Sequence, residues 1–199
     1  MKPFSVTWDY RCPFARNAHE HILVALAAGA DWDVTFLPFS LSQVHHAEGA
    51  PAVWDDPSKA VDLMALASGV VARDHYPEQF GAVHNALFAA RHDEGLDLRK
   101  ADVLLGVLDR AGVPGEKVLA EVEAGDPLQE IGRAHTRAVS EWSVFGVPTF
   151  IVDDRAVFVR LMSRPDGDAA LARRTIEQVV SLIEDEPDLN EFKYTTLSR

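Results

Sequence analysis

Cysteine is nearly absent from this sequence: Cys12 stands alone among 199 residues. One thiol cannot close a disulfide within its own chain, so a disulfide scaffold is excluded, and such sparing use of cysteine suits a reducing, cytoplasmic setting. Basic charge is also scarce. Lys and Arg number 19 against 31 Asp and Glu, a net charge of −12 at pH 7. Nucleic acid and anionic membrane surfaces both demand clustered cations, so neither is predicted as a partner. A local basic pocket remains compatible with the composition. No stretch has the length and apolarity of a membrane span, and the opening MKPFSVTWDY shows neither a long apolar core nor a small-residue cleavage site. Metal motifs are missing too. The eight histidines include His45-His46 in a loop-like stretch, His19 and His21 facing different ways on one helix, and the widely spaced His75, His84 and His92. Without a His-Glu-x-x-His or a cysteine pair, no metal is predicted. The glycines form no phosphate-cradling run, and there is no internal repeat.

What is present is an ordinary globular balance, 47% hydrophobic and 25% charged. Residues 4–8 read as a short strand. Pro13 suits a first helical turn, with Phe14, Ala18, Ile22 and Leu26 recurring at helical spacing until Gly29, and residues 33–38 form a second strand. This β-α-β opening predicts parallel strands. Residues 40–56 look like a long loop. From Pro57 to Trp142 the patterns are helical throughout: Val61, Met64, Ala65 and Ser68 on one face; Phe80, Val83, His84, Leu87 and Phe88 on another; then Leu104, Val107, Leu108 and Ala111; a short helix from Pro114 to Gly125; and one capped by Asp126-Pro127. Two strands follow, 149–152 and 156–159, then a helix bearing Ala172, Ile176, Val179, Val180 and Ile183, and a polar tail over 184–199. Neither end has enough strands for its own core. The expectation is one α/β sheet domain built from 1–45 and 146–199, interrupted by a helical insertion over 46–145.

Cys12 lies at the strand-to-helix junction, directly before Pro13. A thiol at a helix N-terminus faces unpaired N–H groups and the positive end of the dipole, which favour the thiolate. With Arg11 and Arg16 adding positive charge and Asp9 opposing them, a lowered pKa is expected. The competing reading is a buried, inert cysteine. The second notable element is Gly146-Val147-Pro148-Thr149-Phe150. A proline just before a strand removes a donor and holds a turn, leaving the Val147 backbone free to pair with an extended ligand. Arg160, near the second strand of the hairpin, is a candidate for holding an anionic ligand. Phe14 is either a cleft wall or core.

Cys-Pro opening the first helix, a helical insertion, and Gly-Val-Pro-Thr-Phe before a hairpin together resemble the thioredoxin-like DsbA family over nearly the whole chain. The resemblance is strongest to its cytosolic oxidoreductases, which include mycothiol-dependent nitroreductases. There, Asp-x-x-Cys-Pro-Trp-Cys stands where this sequence has Asp9-Tyr10-Arg11-Cys12-Pro13-Phe14-Ala15. The resemblance implies a thioredoxin-like α/β fold, a cis Val147–Pro148 peptide packed on Cys12, and a cleft between sheet and insertion. It points to Cys12 as the catalytic thiol beside Val147 and Pro148, and the residues read from their positions, Tyr10, Pro13, Phe14 and Arg160, are the further candidates around the substrate or thiol. Ala15 departs from the pattern, because it replaces the resolving cysteine and removes the usual two-thiol route. Single-thiol chemistry is then expected, with an external low-molecular-weight thiol, mycothiol or glutathione, as cosubstrate and a small thiol or electrophile as partner. Two alternatives stand beside it. Hydroxychromene-carboxylate isomerases and kappa-class glutathione transferases share the fold and use a bound thiol, with serine at the Cys12 position. A non-catalytic binding protein on the same fold is the other. A homodimer is left open.

Overall fold

Apolar and β-branched residues dominate Phe4–Trp8, which forms β1, and both its faces are covered: Val6, Thr7 and Trp8 are fully buried. In the computed structural model, which describes residues 3–47, 49–191 and 193–194, β1 lies inside a four-stranded sheet of order β2-β1-β3-β4. Residues 192 and 195–199 of the polar tail, with Met1, Lys2 and Glu48, fall outside the described residues. β2 (Val34–Pro38) pairs with β1 in parallel, Val6 opposite Phe36. β3 (Thr149–Val152) runs antiparallel on the other side, Val6 opposite Phe150, and β4 (Arg155–Phe158) closes the edge. The β3–β4 turn is Asp153-Asp154. It manages without glycine because Asp153 itself takes φ 53°, a left-handed conformation that Asp tolerates better than most residues.

α1 (Pro13–Ala27) crosses from β1 to β2 and buries Ala15, Ala18 and Ile22. α8 (Ala169–Asp185), started by the Asp168 carboxylate accepting from Leu171 N at 2.9 Å, packs beside it through Ala172, Ile176, Val180 and Ile183. The fold is thus the thioredoxin-like β-α-β and β-β-α arrangement expected, with helices between the halves.

The stretch expected to be a loop holds a short helix, α2 (Leu41–Val44), whose N-cap Ser40 accepts from Gln43 N. A 3-10 turn at Pro57–Lys59 then leads into α3 (Ala60–His75), α4 (Pro77–His92), α5 (Ala101–Arg110), α6 (Gly115–Ala124) and α7 (Asp126–Trp142). The α4 stripe is buried as its spacing predicts. The α3 face is only partly the expected one: Ser68 is buried and Met64 and Ala65 pack on the core, but Val61 is 47% exposed, and Leu63, Leu66, Ala67, Val70 and Val71 are buried as well. α3 lies among α4, α6 and α7, so it is apolar around much of its circumference and periodicity does not single out one side. Asp126 begins α7 itself, its cap being left-handed Gly125 at φ 97°.

The hydrophobic core runs without a break from sheet to insertion. Trp8 meets Phe80 and His84 of α4 edge-on, and Tyr10 meets Phe88 at a ring distance of 4.8 Å. The closest approach is at Gly69 of α3. A Cβ there would stand 2.3 Å from the Tyr10 hydroxyl oxygen and 2.9 Å from its ring. Alanine normally gains up to about 1 kcal/mol over glycine inside a helix, but here it must displace a packed tyrosine, and overpacking costs about 1–3 kcal/mol. Gly69→Ala is therefore expected to destabilise the protein by about 1–2 kcal/mol in urea unfolding. The loss should shrink when Tyr10→Phe removes the hydroxyl. Equal losses in both backgrounds would show that the contact is not what glycine preserves.

Candidate functional site

The turn between β1 and α1 is held from several sides. Cys12 N donates to Asp9 O at 3.1 Å, closing it. The buried Asp9 carboxylate accepts from Arg11 N at 2.9 Å, from the Arg11 guanidinium at 3.0 and 3.2 Å, and from Leu41 N at 2.8 Å. His92, at the end of α4, bonds through Nε2 to Tyr10 O at 2.9 Å. Cys12 then serves as N-cap of α1: its Sγ accepts from Ala15 N at 3.4 Å. The thiol donates to Val147 O, 3.2 Å away, and the Val147–Pro148 peptide is cis. Opposite, the Thr149 hydroxyl donates to Gly146 O at 2.8 Å and Thr149 N donates to Thr7 Oγ1 at 2.8 Å, fastening the Gly146–Thr149 turn to β1. The Val147 carbonyl thus accepts from the thiol with one of its two lone pairs.

Electrostatics also differ from expectation. Burial pushes the Cys12 thiol up, the N–H groups of Ala15 and Phe14 pull it down less strongly, and Asp9 adds to the rise. The lowered pKa expected from the helix terminus and two arginines is overturned for two reasons. Only 9% of Cys12 is exposed. Both arginines are already neutralised, Arg11 by Asp9 and Arg16 by Asp93. Arg164 is likewise tied to Glu20 at 2.6 Å and lies 3.6 Å from Asp93.

Of the residues expected at the site, Cys12, Pro13, Phe14, Val147, Pro148 and Arg160 come together. Pro13 is exposed and Phe14 half-buried, with the Arg160 guanidinium 5.5 Å above the Phe14 ring. Arg160 is placed by its neighbours: Val159 N donates to Pro148 O at 3.1 Å, and Asn17 Nδ2 to Leu161 O at 2.8 Å. Phe145, 67% exposed, and Phe158 pack on each other beside Gly146. Ala15 is fully buried. A surface depression of about 470 Å³ lies elsewhere, between Trp54 and α7. Among the described residues no cluster is arranged to hold a metal ion, and no helix is long and apolar enough to cross a membrane.

Tyr10 is the exception. It is 1% exposed, and its hydroxyl lies 2.8 Å from His84 Nδ1. His84 Nε2 lies 2.9 Å from His19 Nδ1, and His19 Nε2 3.1 Å from Thr7 O. A carbonyl only accepts, so the protons are ordered: His19 Nε2–H donates to Thr7, His84 Nε2–H to His19, and Tyr10 O–H to His84. Tyr10 thus belongs to the core rather than to a ligand surface. His19 carried no functional signal in the sequence, and Asp9 carried only that of a charge opposing the arginines and of the first residue of the family pattern. His84, a polar residue in an apolar helical stripe, carried a hint, but its partners stand 65 and 74 positions away.

A four-stranded α/β sheet with a cysteine capping its first helix beside a cis-proline turn defines a thioredoxin-like protein. The sequence model of the DSBA-like thioredoxin domain matches residues 5–163, and the chain belongs to that family. Its fold is similar to a cytosolic disulfide reductase, DsbM from Pseudomonas aeruginosa with GSH (18% identity, 90% of this chain and 100% of that one, TM-score 0.59). It is also similar to a 2-hydroxychromene-2-carboxylate isomerase (16%, 93% and 98%, 0.61) and to a probable DsbA oxidoreductase from Streptomyces coelicolor (16%, 100% and 94%, 0.60). At these identities the likeness is one of fold. No curated protein sequence matches the chain.

Two outcomes follow from the titrating groups. Burial holds His19 and His135 down from 6.5 to about 4, and His84 well below its ordinary value. Each is neutral when folded and protonates once unfolded, so the unfolded chain binds more protons between those values. Stability should be full above about pH 6.5 and fall steadily towards pH 4. Urea midpoints measured across that range should decline; a flat profile would contradict the buried neutral rings. For Cys12, the rate of alkylation by iodoacetamide should still be climbing above about pH 8.5. A plateau already reached at neutral pH would mean a stabilised thiolate instead.

Proposed function

We propose that this protein carries out thiol–disulfide exchange through Cys12 alone, with a low-molecular-weight thiol such as glutathione or mycothiol as the second sulfur. The observation that carries this reading is the placement of the one thiol in the chain, capping α1 and 3.2 Å from Val147 O beside Pro148. The Cys12 thiolate attacks one sulfur of a disulfide RS–SR′. A Cys12–SR bond forms, the S–S bond breaks, and R′S⁻ leaves to take up a proton. An external thiol R″SH, reacting as its thiolate, then attacks the outer sulfur, releases RS–SR″ and returns Cys12. Sulfur and electrons balance, and no second protein thiol is required.

The raised pKa shapes both halves. Little thiolate is present at neutral pH, so attack is slow; Cys12 is also a poor leaving group, so the mixed disulfide persists. Pro13, Phe14 and Pro148 line the sulfur, and Arg160 offers a charge for the ligand. Chemistry of this kind fits a reducing, cytoplasmic compartment.

A second reading is favoured by the thiol's bond to Val147 O. A neutral S–H that donates to a carbonyl can donate equally to the sulfur of a bound thiolate cofactor. Cys12 would then position that cofactor, as in a thiol-dependent isomerase or transferase. Cys12→Ser separates the two. Exchange with a small symmetrical disulfide should fall to the uncatalysed rate in this variant. Retention of about half or more of a thiol-dependent isomerase or transferase turnover would favour positioning.

A further inference from the structure

We infer that the external thiol carries a carboxylate and that Arg160 recognises it. This deepens the exchange reading above and rests on it. Arg11 in the β1–α1 turn, Arg16 in α1 and Arg164, which reaches α1, are each satisfied: Arg11 by Asp9, Arg16 by Asp93, Arg164 by Glu20 and Asp93. Arg160 differs. It is exposed, and among the described residues it makes neither an ion pair nor a side-chain hydrogen bond, only its contact with the Phe14 ring two positions after Cys12. The backbone on either side of it is bonded to Pro148 and Asn17, which fixes the stem from which the guanidinium reaches over Phe14. A stacked guanidinium keeps its planar fork of donors, and that fork matches a carboxylate.

Surroundings sharpen the point. The chain as a whole carries −12, a field that repels small anions. A cation over the Phe14 ring, in no ion pair among the described residues, offsets this locally beside the site, which favours an anionic ligand over a neutral one. The carboxylate of Glu191, after α8, is paired with Lys193 rather than with Arg160.

The test uses two disulfides that differ only in charge, those of N-acetylcysteine and of N-acetylcysteinamide, with the rate of Cys12 mixed-disulfide formation followed by intact mass. The wild-type chain should react about 3-fold faster or more with the acid than with the amide, in line with an accessible ion pair. That preference should fade as salt is raised. Arg160→Gln should abolish or reverse it, and Arg160→Lys should restore part of it. Far-UV circular dichroism checks that these surface variants remain folded. Equal wild-type rates, or a preference that survives Arg160→Gln, would overturn the assignment while leaving the exchange reading intact. Absence of any adduct with either disulfide would overturn both.

Discussion

The relay Tyr10–His84–His19–Thr7 is the constraint on which the rest of this molecule depends. It starts in the turn that carries Cys12, passes through α4 and α1, and ends on the backbone of β1. Every ring in it is buried, and in a low-dielectric interior such a chain is favourable only when all its donors and acceptors are matched. Here they are matched in one order only. Gly69 makes the remaining space, its missing side chain being the volume that the Tyr10 hydroxyl fills. The helical insertion is therefore held to the sheet by specific polar contacts as well as apolar packing, and the β1–α1 turn inherits its position from them.

Those same contacts set the chemistry. Asp9 gathers its donors from Arg11 and Leu41, and Arg16 is drawn to Asp93, so the cations that flank Cys12 in sequence are occupied in space. What remains at the sulfur is burial, two N–H groups of α1 and the Val147 carbonyl. Burial prevails, and the resting group is a thiol with a defined proton direction. A chain that relied on rapid internal resolution would gain from a stabilised thiolate and a second cysteine, and this one has neither. Under the proposed exchange, its sulfur holds a partner sulfur until another thiol arrives.

Much of the architecture was legible in the sequence. The strand-helix-strand opening, the helical middle, the glycine-free hairpin and the junction placement of Cys12 all follow from local periodicity and punctuation, which short segments express directly. The α3 face was only partly assigned because a helix surrounded by neighbours has no single apolar side. Residues 40–56 concealed α2, since four residues with a serine cap leave almost no periodic trace. The thiol's electrostatics were misjudged for a different reason: burial of Cys12 and the partner of Arg16 are matters of tertiary geometry, Asp93 standing 77 positions from Arg16, while Asp9, two residues from Arg11, takes up that cation outright. The relay was beyond reach for the same reason, being made of residues that meet only once the insertion has docked.

Intact-mass analysis of the protein exposed at pH 9 to a small disulfide, then freed of reagent and chased, addresses the central claim most directly. One adduct should form, on Cys12. It should persist through the wait without thiol and disappear only when an external thiol is added. Failure to form the adduct, or its loss without any added thiol, would contradict a single sulfur resolved from outside the chain.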